Sequence, residues 1–188
     1  MHIVALTGAG ISKAAGIPTF EEVPGLKQKL SLDYKAKYPK EFEEAYNGLI
    51  ESVTDKQPTN AHKALAAYKV PIITMNVDCL HQKAGSKKVL ELHGNHLKNN
   101  IVLYGQKVNN GLESIGQILK VSRKAKRHKE ESTLLVVGTS LQTSFANTLI
   151  RIAERCGMKI HKINKNAEEE VPKFLDEQAQ KSKLNAIA

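Results

Sequence analysis

The apolar residues of this chain fall into short runs that end in glycine or small polar residues. Ile3 to Leu6 leads into Thr7-Gly8-Ala9-Gly10, and similar runs follow at Val70–Thr74, Val89–Leu92, Ile101–Leu103, Leu134–Val137 and Lys159–Ile163. Runs this short, bounded by turn residues, predict buried strands. Two of them hold almost no polar residue, the pattern of strands covered on both faces. Between the runs the spacing becomes helical. Pro58-Thr59-Asn60 opens a helix with Ala61, Leu65 and Tyr68 on one face. Another runs from about Glu113 to Lys126, with Ile115, Ile118, Leu119 and Ser122 at helical spacing, and a third spans roughly Ser144 to Cys156.

Strand alternating with helix predicts an α/β fold, a doubly wound Rossmann-like parallel sheet. In such sheets ligands bind outside the carboxyl ends of the strands, where strand order reverses. Residues 21–56 break the alternation. They are rich in Lys and Glu and carry Pro24-Gly25. They predict a flexible loop followed by one or two short helices, a small helical insertion that covers the site. Residues 167–188 predict a final helix and a polar tail, so that 1–188 form a single domain. No internal repeat and no low-complexity linker interrupts it.

Composition narrows the class. The chain has 188 residues, 41% of them hydrophobic and 25% charged, as expected of one soluble domain with its own core. No apolar run approaches the roughly 20 residues of a membrane helix. Met1-His2-Ile3-Val4-Ala5-Leu6 has no basic n-region, so it reads as a strand and not a signal peptide, and a cytoplasmic location is expected. Cys79 and Cys156 are the two cysteines, too few for a four-thiolate zinc site or a disulfide framework; no metal is expected. The formal charge of +9 owes much to residues 123–129. Such a run attracts acidic partners, but a solvated helix end is the simpler reading. No aromatic side chains are interleaved for base stacking, so nucleic acid is not an expected partner.

Candidate chemistry lies at the ends of the predicted strands. Gly8-Ala9-Gly10 suits a phosphate-cradling turn, since glycine lets the backbone approach a ligand and the next helix presents free N–H groups. Lys13 stands where the third glycine of the usual dinucleotide fingerprint would be. Asn76, Asp78 and His81 follow the run ending at Thr74. They fit a polar ligand or, equally, the N-cap of a helix running to Ala84. His93-Gly94 follows another run. A His there can act as a general base near neutral pH, or serve structure alone. His2, His62, His96, His128 and His161 read as packing or surface residues. Gly138-Thr139-Ser140 suits phosphate or ribose, or a capped turn, and Asn164 a ribose or a turn. Five polar clusters at the same end of successive strands point to one ligand crevice.

Together these residues resemble the sirtuin family of NAD-dependent protein deacylases. The matching segments, in family order, are Gly8-Ala9-Gly10-Ile11-Ser12 with Gly16-Ile17-Pro18 and Phe20; Pro58-Thr59-Asn60-Ala61-His62 with Leu65; Thr74, Asn76, Asp78, Leu80-His81 and Ala84-Gly85; Glu91-Leu92-His93-Gly94; Val102-Leu103-Tyr104-Gly105; Gly138-Thr139-Ser140-Leu141; and Ile163-Asn164. The resemblance implies NAD as cofactor and acylated-lysine proteins as partners. It implies that Gly8, Ala9, Gly10, Ser12, Gly138, Thr139, Ser140 and Asn164 hold the phosphates and adenosine side. Ile17, Pro18 and Asp78 would enclose nicotinamide, Phe20 would shield the ribose cation, and Asn76 would position the nicotinamide ribose or a water. His93 would be the general base, and Val102, Tyr104 and Gly105 would bind substrate. The implied reaction cleaves the nicotinamide bond and transfers the acyl group to ADP-ribose.

The chain departs from the family pattern in four places and lacks one module. Thr19 and Glu21 stand where the family has Asp and Arg around Phe20, Met75 where it has Gln, and Gln106 where it has an acidic residue. Only residues 95–101 lie where the family usually carries a small four-cysteine zinc module. Two other readings are an NAD hydrolase or ADP-ribosyltransferase, and a non-catalytic NAD or ADP-ribose sensor. His93 favours an enzyme; Glu21 and Met75 favour the sensor.

Overall fold

A computed structural model describes residues 1–140 and 144–184; Leu141 and the last residues of the expected tail, 185–188, lie outside the described residues. β1 (His2–Thr7) is followed by a 3-10 helix at Ala9–Ala15, α1 (Leu26–Lys29), α2 (Leu32–Lys37), α3 (Pro39–Val53) and α4 (Asn60–Ala67). Then come β2 (Ile72–Thr74), α5 (Leu80–Lys83), β3 (Val89–Glu91), a 3-10 turn at His96–Lys98 and α6 (Gly111–Arg127). β4 (Ser132–Val137), α7 (Ser144–Arg155), β5 (Lys159–Ile163) and α8 (Ala167–Leu184) follow.

The strands form one parallel sheet in the order β3-β2-β1-β4-β5. The chain winds outward from β1 through β2 to β3, then crosses to β4 on the other side. Strand order therefore reverses between β1 and β4, where Thr7 is level with both Thr74 and Val137. Alternation along β1 feeds two cores. Ile3 and Ala5 pack with Leu65 of α4 and Val171 and Leu175 of α8, whereas Val4 and Leu6 pack with Ile118 of α6 and Leu149 of α7. All six residues of β4 are buried, as the apolar run predicts for a strand covered on both sides. β5 is one of the two edges, opposite β3, and keeps Lys159 and Lys162 exposed, a pattern that discourages pairing with another chain.

Three local expectations change. Ile101–Leu103 is not a strand. Its backbone bonds are spent elsewhere: Val102 N–H donates to the His93 carbonyl at 2.9 Å, and Tyr104 N–H to that of Leu30 at 3.0 Å. Only an isolated bridge from Tyr104 to Ser31 has strand character. The insertion holds a 15-residue α3 as well as two short helices. In α6 the buried face runs through Ile118, Val121, Ser122 and Ala125, leaving Leu119 half-buried. The basic run forms the exposed last turns of α6 and the residues just after it, where cations complement the helix dipole.

Candidate active site

Two turns meet at the reversal point, and both need glycine. Gly8 N–H donates to the Val137 carbonyl at 3.0 Å, Gly10 N–H to that of Gly138 at 2.8 Å, and Gly138 N–H to that of Ile163 at 2.9 Å. A Cβ on Gly138 would lie 2.3 Å from the Ile11 nitrogen, and its φ of 61° already disfavours other residues. A Cβ on Gly10 would lie 2.6 Å from the Gly138 Cα. The glycines thus let the β1 and β4 turns touch each other, a demand separate from ligand approach. Asn164 steadies the same place: its Oδ1 accepts from Thr139 N–H at 3.3 Å.

An outer crevice of about 560 Å³ opens over these turns, lined by Gly8, Ala9, Gly10, Gly138, Thr139, Ser140 and Asn164, with Lys13 and Lys27 as its cations. An inner cavity of about 230 Å³ continues from it under α1 and α3, with Ile17, Pro18, Asp78, Val102 and Tyr104 in its wall. Ala9, Phe20, Lys27, Met75, Asn76, His93 and Tyr104 line both and mark the junction. Gly105 lines neither.

A buried polar network supports the junction. Ser12 Oγ donates to Asp78 Oδ2 at 2.6 Å, while Asn76 Nδ2 lies 3.2 Å from the same oxygen and 3.1 Å from Ser12 Oγ. Asp78 Oδ1 accepts from Leu80 N–H at 3.0 Å. The N-cap of α5 is Cys79, not Asn76 or Asp78; the Asp78 carboxylate precedes the cap, accepts the first helical N–H and joins the site network. Ser12 is fully buried and lines neither cavity; it acts on the site through Asp78 and Asn76. Beneath it, His81 Nε2 lies 2.9 Å from Thr7 Oγ1, and the His62 and His81 rings are 4.6 Å apart. Burial lowers the His62 pKa to about 4 against the opposing pull of Asp78, and lowers that of His81 well below the usual value. Both stay neutral and hold the floor of the site.

His93 is half-buried, and burial lowers its pKa too. Its Nδ1 is buried without a hydrogen-bond partner. A neutral imidazole facing both cavities can accept a proton. Gly94 (φ 69°) makes room for the chain and not for a ligand: a Cβ there would lie 2.1 Å from the Asn100 carbonyl oxygen. The 95–100 link is tied into a compact turn. Asn95 Nδ2 donates to both oxygens of buried Glu91 at 2.7 and 2.9 Å, and Asn95 N–H to Asn100 Oδ1 at 2.9 Å.

Sequence reasoning missed several contributors. Glu22 Oε2 accepts from Thr19 N–H and Oγ1 at 2.9 and 3.0 Å, and Lys13 Nζ donates to its Oε1 at 2.6 Å. Those bonds, led by Lys13, lower the Glu22 pKa to about 2 and fix the turn that carries Phe20. The unexpected Lys at position 13 was the only signal. Lys27 Nζ stands 5.4 Å from the Tyr104 ring centre, and Phe20 meets that ring edge-on at 6.1 Å; a four-residue helix in a charged insertion gave no hint of this.

The Sir2 family profile matches residues 8–110. The chain is 42% identical over 109 residues to an NAD-dependent protein deacetylase of Sulfolobus acidocaldarius, a match spanning 53% of this chain and 43% of that protein. It is 32% identical over 208 residues to one from Chromobacterium violaceum, spanning 87% and 81%. A solved structure of Sir2 with p53 peptide and NAD+ superposes with a TM-score of 0.78 at 27% identity, over 94% of this chain and 93% of that one. Among the described residues no helix is long and apolar enough to cross a membrane.

Proposed function

The chain belongs to the Sir2 family, and on that premise we propose that it is an NAD-dependent protein-lysine deacylase acting where the two cavities join. The observation that carries the reading is the convergence of His93 and Asn76 on both cavities. A group there reaches a cofactor in the crevice and a substrate side chain in the cavity at once. The residues present suit NAD. The crevice volume lies in the range of roughly 300–1,000 Å³ usual for cofactor sites, and its wall sets the Thr139 and Ser140 side chains, the Asn76 and Asn164 amides, Lys13 and Lys27 around the space for phosphates and ribose, together with the carboxylates of Glu21 and Glu22.

Bound NAD supplies a nicotinamide leaving group and the ribose that receives the acyl group. Gly8, Ala9, Gly10, Gly138, Thr139, Ser140 and Asn164 bind its diphosphate and adenosine side. Ile17 and Pro18 flank the nicotinamide ring, and Asp78, oriented by Ser12 and Asn76, takes the carboxamide. Phe20, held by the Lys13–Glu22–Thr19 bonds, covers the ribose and excludes water. His93 is neutral at neutral pH and accepts a ribose hydroxyl proton, so that the acyl group passes from lysine nitrogen to ribose oxygen. Val102, Tyr104 and Gly105 offer an extended segment to the substrate peptide. Overall, NAD, acyl-lysine and water give nicotinamide, O-acyl-ADP-ribose and free lysine.

We read residues 20–30 as a cover that closes over bound NAD, and the Asn95–Glu91 turn as taking the place of the family's zinc module. A reducing, NAD-containing compartment such as the cytoplasm suits Cys79 and Cys156, both unpaired. Mass spectrometry of the products from NAD and an acylated peptide tests the reading. O-acyl-ADP-ribose is expected, and free ADP-ribose with the peptide still acylated would contradict it.

A further inference from the structure

The glycine turns that floor the outer crevice have spent most of their backbone donors on the fold. Gly8 N–H and Gly10 N–H donate to the Val137 and Gly138 carbonyls, Ile11 N–H to that of Gly8, Gly138 N–H to that of Ile163, and Thr139 N–H to Asn164 Oδ1. A diphosphate carries a charge on each phosphate, and leaving water needs charged donors in return. The charged side chains of the crevice wall are Lys13, Glu21, Glu22 and Lys27. Lys13 is already committed: its Nζ donates to Glu22 Oε1 at 2.6 Å, within the bonds that fix the Phe20 turn. Glu22, its pKa lowered to about 2 chiefly by that Lys13 bond, stays ionised and repels an anion, and Glu21 brings a second carboxylate to the same wall.

Lys27 is differently placed. It is exposed on α1 and lines both cavities. Among the described residues its ammonium has no carboxylate or hydrogen-bond partner and rests 5.4 Å from the Tyr104 ring centre. Two backbone bonds moor the chain just after α1 to the rim of the crevice: Tyr104 N–H donates to the Leu30 carbonyl and Leu32 N–H to the Tyr104 carbonyl, both at 3.0 Å. An exposed cation–π contact is weak beside a charge-assisted hydrogen bond to phosphate, so an anion in the crevice draws the ammonium off the ring. We propose that Lys27 is the residue that binds the diphosphate of NAD, reaching it from the cover on the side opposite the glycine turns and supplying the charge that Lys13 cannot spare. The proposal rests on the crevice being an NAD site and is independent of the deacylation step.

The test is the calorimetric Kd of the full chain for ADP-ribose, which carries the diphosphate without the reacting nicotinamide bond, at low and at high salt. Lys27→Met keeps an unbranched stem against Tyr104 and removes the charge. It should weaken binding at low salt by at least about tenfold, the lower range for a hydrogen bond to a charged group. Because exposed charges are screened, the gap between parent and variant should narrow as salt rises. Lys27→Arg restores a cation and should bind within about threefold of the parent, two such charges being alike to a phosphate at this level. Lys29→Met removes an exposed charge from the same helix, at a residue that lines neither cavity, and should bind as the parent does. Thermal melting of each variant separates lost affinity from lost fold. Lys27→Met binding within twofold of the parent, or no better distinguished from it than Lys29→Met, would overturn the proposal while leaving the NAD site in place. A loss in Lys27→Arg equal to that in Lys27→Met would overturn it too, since packing and not charge would then be at work. A parent chain that binds no ADP-ribose would bring down the NAD reading and the proposal with it.

Discussion

Replacing His93 by Ala separates a base from a packed ring. Among the described residues the His93 side chain makes no hydrogen bond, and its Nδ1 is already unpartnered. Truncation therefore removes packing of a half-buried ring and little else, a stability cost of about 1 kcal/mol. His81→Ala is the contrast. That ring is buried and lies 2.9 Å from Thr7 Oγ1, so its loss should cost about 2–3 kcal/mol. For activity the order reverses. General-base catalysis contributes about 10²–10⁴-fold, or roughly 2.7–5.5 kcal/mol of barrier, so His93→Ala should lower acyl transfer by at least about 10². NAD affinity should shift by less than about tenfold, 1.4 kcal/mol, since the base acts after binding. Nicotinamide release should persist, because the glycosidic bond breaks first. Calorimetry with NAD, thermal melting and the transfer assay on the same variants give all three quantities. Parental transfer rates in His93→Ala, or stability and affinity falling together, would refute the assignment. Burial lowers the His93 pKa, so the acid limb of the kcat/KM profile should lie below pH 6.5, and a limb above that value would count against a buried neutral base.

Other expectations follow from the same geometry. Gly138→Ala places a Cβ 2.3 Å from the Ile11 nitrogen at φ 61°; it should cost more than about 3 kcal/mol and abolish NAD binding, as denaturant titration and calorimetry would report. The unfolded chain takes up a proton on His62 as pH falls past about 6.5, whereas the folded protein resists until about 4. Stability should thus be full above pH 6.5 and decline between 6.5 and 4, with a shallower decline in His62→Gln; identical slopes in melting temperature would contradict this. Dialysis against a chelator should leave the melting temperature unchanged and the zinc content far below one per chain, whereas about one retained zinc would overturn the metal-free reading. Hydrogen exchange in residues 20–30 should slow when NAD is added, and equal rates with and without it would count against closure.

Much of the fold was legible because burial on both sides writes a long-range pattern locally. The apolar run at 134–137 and the alternation in β1 each identify a strand without knowledge of its partners. Ile101–Leu103 carries the same local pattern, but its backbone groups are claimed by His93 and Leu30, which are remote in sequence. Gly94 illustrates the same limit within the site. The sequence shows only a glycine after a candidate base, and the atom that demands it is the carbonyl oxygen of Asn100, six residues on. Ser12 was picked out as a cofactor contact and instead lies buried under Asp78, a distinction set by the depth of the 3-10 helix. Glu22 and Lys27 stood in a segment expected to cover the site, but which of its charges would reach the crevice depends on how the insertion folds back over Tyr104.

The most direct test of deacylation at the cavity junction is nicotinamide release from NAD by the purified chain, with and without an acylated-lysine peptide. The account predicts release that depends on the peptide and matches, mole for mole, the lysine freed. Release at the same rate without peptide would contradict it in favour of hydrolysis or transfer to another acceptor. NAD binding without any release would contradict it in favour of a sensor.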